Sequence, residues 1–235
     1  MSYARVMHGL PLRSPMDVFG ERGLLLVAPH PDDETLGCGG LLGWASRYCR
    51  PRHVVFLTSG EQSHPGTALD IATIRCAEAK AAAAQLGLAP EQLSFLGLPD
   101  AGLASMPHDD RRAAAGRLRH LATVLRPCVV LVTAETDMHG DHRAAFALVR
   151  DAIQGLAEVE LMTYPVWSWL LPDAPSAVTG VRVDISEYRE HKDAALHAYA
   201  SQRAKGALDV DGFILPEELL RHVRADTEVF LRPHL

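Results

Sequence analysis

The chain has 235 residues, 48% of them hydrophobic and 22% charged, which is a composition typical of globular proteins. This length suits one substantial domain, and we expect residues 1–235 to form a single domain. Basic residues number 23 against 29 acidic ones, so the net charge is -6, and no run of like charges marks a surface for a phosphate backbone. Nucleic acid is therefore not expected as a partner.

The apolar stretches are too short to cross a membrane, and the N-terminus MSYARVMHGLPLRSP lacks the apolar core of a signal peptide. We expect no membrane insertion and a cytoplasmic location. The cysteines Cys38, Cys49, Cys76 and Cys128 show no CxxC spacing, which predicts reduced and mostly buried thiols. The sequence leaves open whether the chain forms a homo-oligomer.

Short apolar strands alternate with helical segments in the first two thirds of the chain. The apolar run from Gly23 to Pro29 predicts a strand, and a helix is predicted from Glu34 to Arg50. The same order recurs in HVVFLTS and IATIRCAEAKAAAAQLG, in LSFLGL and DDRRAAAGRLRHLATVL, and in CVVLVTA and DHRAAFALVRDAIQ. Four strand-helix units in series predict an α/β fold with a parallel sheet between two layers of helices.

The last third of the chain continues the pattern less regularly. A fifth strand, VELMTYP, is followed by the aromatic and proline-rich connection VWSWLLPDAPS and by another strand, VRVDIS. A helix is predicted over EYREHKDAALHAYASQ, and TEVFLR predicts a final strand.

Polar residues gather where the predicted strands end, which is the edge at which open parallel sheets bind ligands. They are His30, Asp32 and Asp33 after the first strand, Thr58 to Glu61 after the second, Asp137, His139, Asp141 and His142 after the fourth, and Tyr164 and Trp167 after the fifth. GCGG, by contrast, lies inside a predicted helix without a phosphate-binding pattern, and it favours close packing of that helix on the sheet.

Two of these junctions carry both imidazole and carboxylate groups. HPDDE alone has an ordinary explanation, because acidic residues cap helix N-termini. MHGDHRAA repeats the combination at a second junction, and a solvated loop has little reason to carry two histidines around an aspartate. Together the clusters supply the set of two histidines and one carboxylate that suits zinc with an open coordination position.

The spacing suggests a role for each residue. His30 and Asp33 can converge through the turn at Pro31, and His142 can approach from the neighbouring loop. Asp32 then stays free to accept a proton from an attacking water.

His139 can stabilise an oxyanion or protonate a departing amine, and Asp141 can fix a histidine tautomer. His139 and His142 are three positions apart, so both could chelate if they shared a helical turn. Gly140 favours a helix start near Asp141, which leaves His139 in the loop.

PHPDDETLGCGG together with HGDH resembles the PIG-L/LmbE-like family of zinc-dependent N-acetylglucosaminyl deacetylases. Other matching stretches follow in family order over residues 23–203, and they are FLTSGE, the RxxEA of Arg75 to Ala79, LGLPD, RPCVVLV, YPVW and the SQ of Ser201 and Gln202.

The resemblance implies a Rossmann-like three-layer sandwich with a mostly parallel central sheet and one catalytic Zn²⁺ per chain. Its ligands would be His30, Asp33 and His142, with Asp32 as general base and His139 as acid or oxyanion stabiliser.

Substrate contacts are expected from Arg75, Asp100, Tyr164 and Trp167 within the matching stretches. Two alternatives stay open here. Arg75 and Glu78 are spaced for a surface ion pair, and Trp167 with Trp169 could simply cover the sheet edge.

We therefore expect a hydrolase that removes the acetyl group from an N-acetylated amino sugar or glycoconjugate by attack of metal-activated water on the amide. A metal-dependent phosphoesterase is the alternative enzyme, since similar clusters serve phosphoryl transfer. A metal-binding module of the same fold without turnover is the non-enzymatic alternative.

Overall fold

The structure is a computed structural model that describes residues 2–48, 50–175, 177–203, 207–208 and 210–233, so Cys49 lies outside the described residues. The helices and strands in chain order are α1 (Tyr3–His8), β1 (Leu12–Arg13), α2 (Pro15–Phe19), β2 (Gly23–Ala28), α3 (Asp33–Arg47), β3 (Arg52–Thr58), α4 (Ile71–Gln85), β4 (Leu93–Leu98), α5 (His108–Val124), β5 (Cys128–Thr133), α6 (Gly140–Ile153), β6 (Val159–Tyr164), β7 (Gly180–Asp184), α7 (Arg189–Ala198), α8 (Ala200–Arg203), α9 (Glu217–Val223) and β8 (Thr227–Leu231).

The strands of the described residues form one eight-stranded sheet in the order β1-β7-β8-β6-β5-β2-β3-β4. Strand β8 runs antiparallel to its neighbours β6 and β7, and the other neighbouring pairs are parallel. The prediction of a mostly parallel central sheet is confirmed.

The order of the strands creates a crevice between β2 and β5. The chain steps from β2 outward to β3 and β4, then returns to place β5 on the other side of β2, with Val27 opposite Val132. Because the connections that follow β2 and β5 leave toward opposite faces, their first residues border an open space at the carboxyl edge of the sheet.

Strand β2 is buried on both faces, which explains why its sequence is continuously apolar. Leu24 and Leu26 pack in one cluster with residues of α3, α4 and α7, whereas Leu25 and Val27 pack in another with α5 and α6. The two sets of helices therefore cover opposite faces, as a three-layer sandwich requires.

The glycines of GCGG serve packing, as predicted. A Cβ atom at Gly37 would lie 2.1 Å from the ring of Tyr164, and one at Gly40 would lie 2.5 Å from Cβ of Ile185. Helix α3 can approach the sheet this closely only because these side chains are absent.

The long helix predicted over EYREHKDAALHAYASQ, which ends at Gln202, is interrupted. Tyr199, with φ -83° and ψ 58°, leaves the helical conformation and separates α7 from α8. Its hydroxyl donates a hydrogen bond of 2.6 Å to Oε1 of the buried Glu34. This tertiary contact overrides a local sequence that favours an unbroken helix.

The remaining predictions concern thiols and membranes. Cys38, Cys76 and Cys128 are free, and Cys38 and Cys128 are buried. Among the helices in the described ranges, none is both long and apolar enough to cross a membrane.

Candidate active site

The β2–α3 turn holds the first cluster, and it does so without using Asp32 as a helix cap. Asp32 occupies the N-cap position of α3, but its side chain makes no capping hydrogen bond. Its backbone has φ 116°, which is rare for a residue with a side chain and is a sign of strain at functional positions. The Oδ2 atom of Asp32 instead lies 3.1 Å from Nη2 of Arg75.

The guanidinium of Arg75 holds this turn in place. It donates to the carbonyl oxygens of Pro31 and Gly60, the latter at 3.0 Å from Nη1, and the residue is only 4% exposed. Glu78 accepts hydrogen bonds from Ser201 instead. The alternative of a surface ion pair between Arg75 and Glu78 is therefore wrong.

The β5–α6 loop holds the second cluster around Asp137. The Oδ1 atom of Asp137 accepts the backbone N–H of His139 at 2.9 Å, and Oδ2 accepts those of Trp167 at 2.9 Å and Ser168 at 3.3 Å. Asp137 thus ties this loop to the loop after β6. The sequence placed Asp137 at a strand end but assigned it no role.

Two histidines from the two clusters converge on one carboxylate oxygen. The Oδ2 atom of Asp33 lies 3.2 Å from Nδ1 of His30 and 3.2 Å from Nε2 of His142. The structure therefore brings together the three residues that the sequence nominated as metal ligands.

A carboxylate also faces the other nitrogen of each ring. Nε2 of His30 lies 3.1 Å from Oδ1 of Asp100 and 3.4 Å from Oδ2 of Asp141. Nδ1 of His142 lies 3.3 Å from Oδ2 of Asp137. Carboxylates in this position fix the tautomer of metal-binding histidines.

These residues fit a divalent cation. The side chain of His142 is completely buried, yet among the described residues neither of its nitrogens has a partner in line for a hydrogen bond, although Asp33 and Asp137 lie within ion-pair distance. Buried nitrogen atoms without partners are costly unless they bind something. Two histidines and a carboxylate suit zinc and related ions.

His139 also lies near this centre, because ligand atoms of His30, His139 and His142 lie within 4.8 Å of one another. Nδ1 of His139 accepts the backbone N–H of Asp141 at 3.2 Å and caps helix α6. Nδ1 must therefore be unprotonated, and in the neutral ring the proton is on Nε2. In this tautomer Nε2 of His139 carries a proton, so this nitrogen is suited to donate a hydrogen bond and not to bind a metal.

The charges of the site shift the pKa values of its members. Burial raises the pKa of Asp32 to about 7, although the Arg75 guanidinium opposes this effect. Burial is the largest single effect on the pKa of His142 and lowers it, but the interactions with Asp33 and Asp137 together outweigh burial and raise this pKa to about 9.

The pKa of His139 shifts in the opposite direction. Burial lowers this pKa, and the neighbouring His142 and His30 lower it further. At neutral pH these effects favour the uncharged imidazole, which carries its proton on Nε2.

A cavity of about 340 Å³ opens beside these groups, a volume within the range of small-molecule sites. The predicted residues that line it are His30, Asp32, Asp33, Arg75, Asp100, His139 and Trp167. Asp141 contacts His30, and His142 contacts Asp33, but neither Asp141 nor His142 is among the residues that line the cavity.

The structure does not bring Tyr164 to this cavity. Tyr164 is fully buried, and its hydroxyl donates to the carbonyl oxygen of Val27 at 3.0 Å. The two tryptophans also separate, since Trp169 stacks on His222 whereas Trp167 lies against Phe213 with ring centroids 5.6 Å apart. Phe213 lines the cavity and was not foreseen from the sequence.

The family described as PIG-L: GlcNAc-PI de-N-acetylase matches residues 25–153, which include both clusters. The chain belongs to this family. Family membership agrees with the resemblance drawn from PHPDDETLGCGG and HGDH.

A curated relative from Mycobacterium sp. (strain KMS) is a 1D-myo-inositol 2-acetamido-2-deoxy-alpha-D-glucopyranoside deacetylase. It is 33% identical over 230 residues, covering 76% of this chain and 73% of the relative. The solved structure of the conserved protein TT1542 from Thermus thermophilus is 33% identical, with a TM-score of 0.64 over 90% of this chain and 94% of that protein.

The fold also occurs with a different reaction. The structure of a 4-carboxy-2-hydroxymuconate hydratase from Pseudomonas putida has a TM-score of 0.65 over 91% of this chain and 98% of the hydratase, at 20% identity. Likeness of fold at this identity therefore does not decide the reaction, and function has to be inferred from the site.

Proposed function

We propose that this chain is a zinc-dependent N-deacetylase that removes the acetyl group from an N-acetylated amino sugar or glycoconjugate, with one ion per chain. The observation that carries this proposal is the convergence of His30 and His142 on Asp33, next to Asp32, which pairs with Arg75 and lines the cavity. The substrate class rests on the family and on the named activity of the mycobacterial relative.

The proposed ligands are His30, Asp33 and His142. A bound ion would supply Lewis acidity toward the amide carbonyl and the attacking water. Asp137 and Asp141 would hold the two imidazoles in the tautomers that leave Nε2 of His142 and Nδ1 of His30 unprotonated.

Asp32 is proposed as the general base. Its carboxylate lines the cavity, and a pKa of about 7 suits a group that takes up and releases a proton at neutral pH. The proton that Asp32 accepts from water can pass to the amide nitrogen when the C–N bond breaks. The products are then the free amine and acetic acid, and no further proton source is needed.

His139 is proposed to stabilise the oxyanion. Its neutral ring carries the proton on Nε2 and lies beside His30, with ring centroids 4.8 Å apart. A preorganised N–H donor of this kind favours the tetrahedral intermediate over the planar amide. Of the two roles expected from the sequence, the lowered pKa favours this one over proton donation by an imidazolium.

Membership of a de-N-acetylase family favours amide hydrolysis over phosphoester hydrolysis and over a module without turnover. A screen for acetate release separates these alternatives. N-acetylglucosamine, N-acetylgalactosamine and their inositol and aryl glycosides would be incubated with the zinc-loaded protein, alongside a phosphate-ester panel.

The expected result is acetate release from at least one acetamido sugar, abolished by a chelator and restored by zinc. Phosphate release without acetate release would overturn the proposal. Full activity in the chelated protein would remove the metal from it.

A further inference from the structure

A buried glutamate contacts the strained turn that follows β2. Glu34 is 1% exposed and is not among the described residues that line the cavity, so it is not placed to touch a substrate. Its Oε2 atom accepts the backbone N–H of Asp32 at 3.0 Å, and its Oε1 atom accepts the hydroxyls of Tyr199, at 2.6 Å, and Thr35. A carboxylate can be buried to this degree because hydrogen-bond donors surround it. The proposed chemistry uses Asp32 but leaves Glu34 without a role.

The cap of helix α3 contains only half of a familiar pattern. In a capping box the side chain of the N-cap residue accepts an N–H of the first turn, and a glutamate in that turn accepts the N–H of the N-cap residue. In α3 the N-cap residue Asp32 makes no such side-chain contact, whereas Glu34 does accept its N–H. Because Glu34 supplies the acidic group of the first turn, the carboxylate of Asp32 is left to pair with Arg75 at the cavity.

The peptide group between Pro31 and Asp32 is held at both ends. Its carbonyl oxygen accepts a hydrogen bond from Arg75, and its N–H donates to Glu34. The orientation of this peptide group defines the φ angle of Asp32, which is 116°. Residues with a side chain rarely adopt such a value, and it persists only where surrounding contacts enforce it. Loss of the contact to Glu34 would free one end and allow Asp32 to relax into an ordinary helix cap.

Tyr199 determines where the carboxylate of Glu34 lies. Its ring is fully buried, and its hydroxyl reaches Glu34 from the break between α7 and α8. Two residues later, Ser201 donates its backbone N–H and its hydroxyl to Glu78 on α4, which fixes the course of the chain after the break. The last third of the chain is thereby connected to the turn that carries Asp32.

We propose that Glu34, held by the hydroxyl of Tyr199, is a positioning residue for the general base. It keeps the backbone of Asp32 in the strained conformation that places the carboxylate in the cavity beside His30 and Asp33. This inference rests on the proposed deacetylase function, because Asp32 is the base of that reaction. The competing explanation is a role in stability alone, which would not act through Asp32.

The first test separates loss of the acceptor from loss of the charge. Glu34→Met keeps the length of the side chain, whereas Glu34→Gln also keeps a carbonyl oxygen for the N–H of Asp32, and the Tyr199 hydroxyl can accept from its amide. With the best substrate of the acetate-release screen, kcat should fall by about 10- to 100-fold in Glu34→Met, and KM should change less. Glu34→Gln should recover most of that loss. If Glu34→Gln were as slow as Glu34→Met, the proposal would be overturned.

The second test asks whether Glu34 acts through Asp32. In the Asp32→Asn background, Glu34→Met should lower kcat no further, because the base that it positions is already absent. Zinc content should be the same in the wild type, both single variants and the double variant. Glu190→Met, which changes an exposed glutamate on α7, is the matched control and should leave kcat unchanged in both backgrounds. Equal fold losses from Glu34→Met in the two backgrounds would assign Glu34 to stability alone and overturn the proposal.

A third variant removes a single hydroxyl and does not depend on whether Glu34→Met folds. Tyr199→Phe keeps the buried ring and should lower kcat by about 3- to 10-fold, the usual effect of one hydrogen bond. The exposed Tyr48 provides the control Tyr48→Phe. Wild-type kcat in Tyr199→Phe would overturn the part of the proposal that concerns Tyr199.

Hydrogen exchange of the Asp32 amide, followed by NMR in the zinc-loaded protein, tests the contact without a substrate. Exchange should be about 10-fold faster or more in Glu34→Met than in the wild type or in Glu34→Gln, because the amide has lost its acceptor. Unchanged exchange in Glu34→Met would overturn the proposal.

These outcomes distinguish failure of the positioning role from failure of the proposed function. If the wild type releases acetate and Glu34→Met matches Glu190→Met, the deacetylase function stands and the role of Glu34 is wrong. If the wild type releases acetate from no acetamido sugar, the deacetylase function fails, and the exchange rate of the Asp32 amide alone decides whether Glu34 holds this turn.

Discussion

The two loops that build the site hold their residues by different means. The turn after β2 is short, and its key residue, Asp32, has a strained backbone held by the buried Arg75. The loop after β5 is longer and is ordered by Asp137, whose two carboxylate oxygens accept hydrogen bonds from within the loop and from residues 167 and 168.

The two loops therefore make different contributions to the proposed reaction. Each loop offers at least one imidazole to the site, but the first also offers the proposed general base and the second offers the proposed oxyanion donor. A charged base needs a fixed position and a counter-ion, which Arg75 provides. A neutral donor needs a fixed tautomer, which the helix-capping contact of His139 provides.

Removal of His142 should have the largest effect, because it takes the only proposed metal ligand of the second loop. We expect His142→Ala to lose most of its bound zinc and its activity. Metal analysis of the purified protein checks this, with His120→Ala, an exposed histidine on α5, as the matched control. Wild-type zinc content in His142→Ala would remove His142 from the ligand set.

Asp32→Asn should remove the proposed general base of the first loop and leave the proposed metal ligands in place. An amide cannot accept the proton of the attacking water, so kcat should fall by about 100- to 10,000-fold while zinc content and folding are kept. Steady-state kinetics with Asp110→Asn, an exposed aspartate on α5, as control would measure this. If Asp32→Asn turned over like the control, the base would have to be sought elsewhere.

His139 allows the two roles of the second loop to be separated. His139→Ala should keep its zinc, and its kcat should fall by about 100- to 1,000-fold, the usual cost of one oxyanion donor. His139→Gln restores an N–H donor but cannot act as an acid, so it should recover part of that loss. No recovery in the glutamine variant would favour proton transfer, and loss of zinc in the alanine variant would make His139 a ligand.

Substitution of Arg75 tests whether the position of Asp32 depends on this buried guanidinium. Arg75→Met should lower kcat by about 10- to 100-fold, because Asp32 loses its charge partner and its fixed position. A role limited to substrate contact, as expected from the sequence, predicts mainly a higher KM. Comparing kcat and KM of Arg75→Met with those of Arg117→Met, an exposed arginine on α5, distinguishes the two roles.

The central fold could be predicted because each of its strands and helices corresponds to a local pattern in the sequence. Strands β2 to β6 are short, mostly apolar runs, and the segments between them have helical length. The elements that were not foreseen are α1, β1, α2 and α9, which are short and owe their form to contacts with the rest of the chain.

The same limit applies to the site: residues within short motifs could be predicted, whereas roles that depend on contacts with distant parts of the chain could not. The motif residues His30, Asp33 and His142 could be nominated because they stand at strand ends within short stretches of sequence. Asp137 could not be given a role, because Trp167 and Ser168, which it ties to its own loop, lie 30 and 31 residues away in the chain. The cytoplasmic location stays a prediction.

Asp137→Asn should give the smallest loss of activity and is the sharpest probe of the second loop. Asparagine keeps the shape of the side chain but has one acceptor oxygen where aspartate has two, so it can keep the hydrogen bond from the backbone N–H of either His139 or Trp167, and not both. Asp137→Asn also removes the negative charge that lies 3.3 Å from Nδ1 of His142. In the wild type this charge would make the imidazole a better metal ligand. Zinc affinity should therefore fall by about 10- to 100-fold.

Competition with a chelator measures that affinity, and assays in saturating zinc should return most of the activity of Asp137→Asn. The matched control is Asp151→Asn, whose carboxylate pairs with Arg150 on the surface of α6. Unchanged affinity in Asp137→Asn would confine Asp137 to a purely structural role. Activity that stayed low in saturating zinc would show that the loop itself had moved, because the ligand would then be present without the correct position of His139.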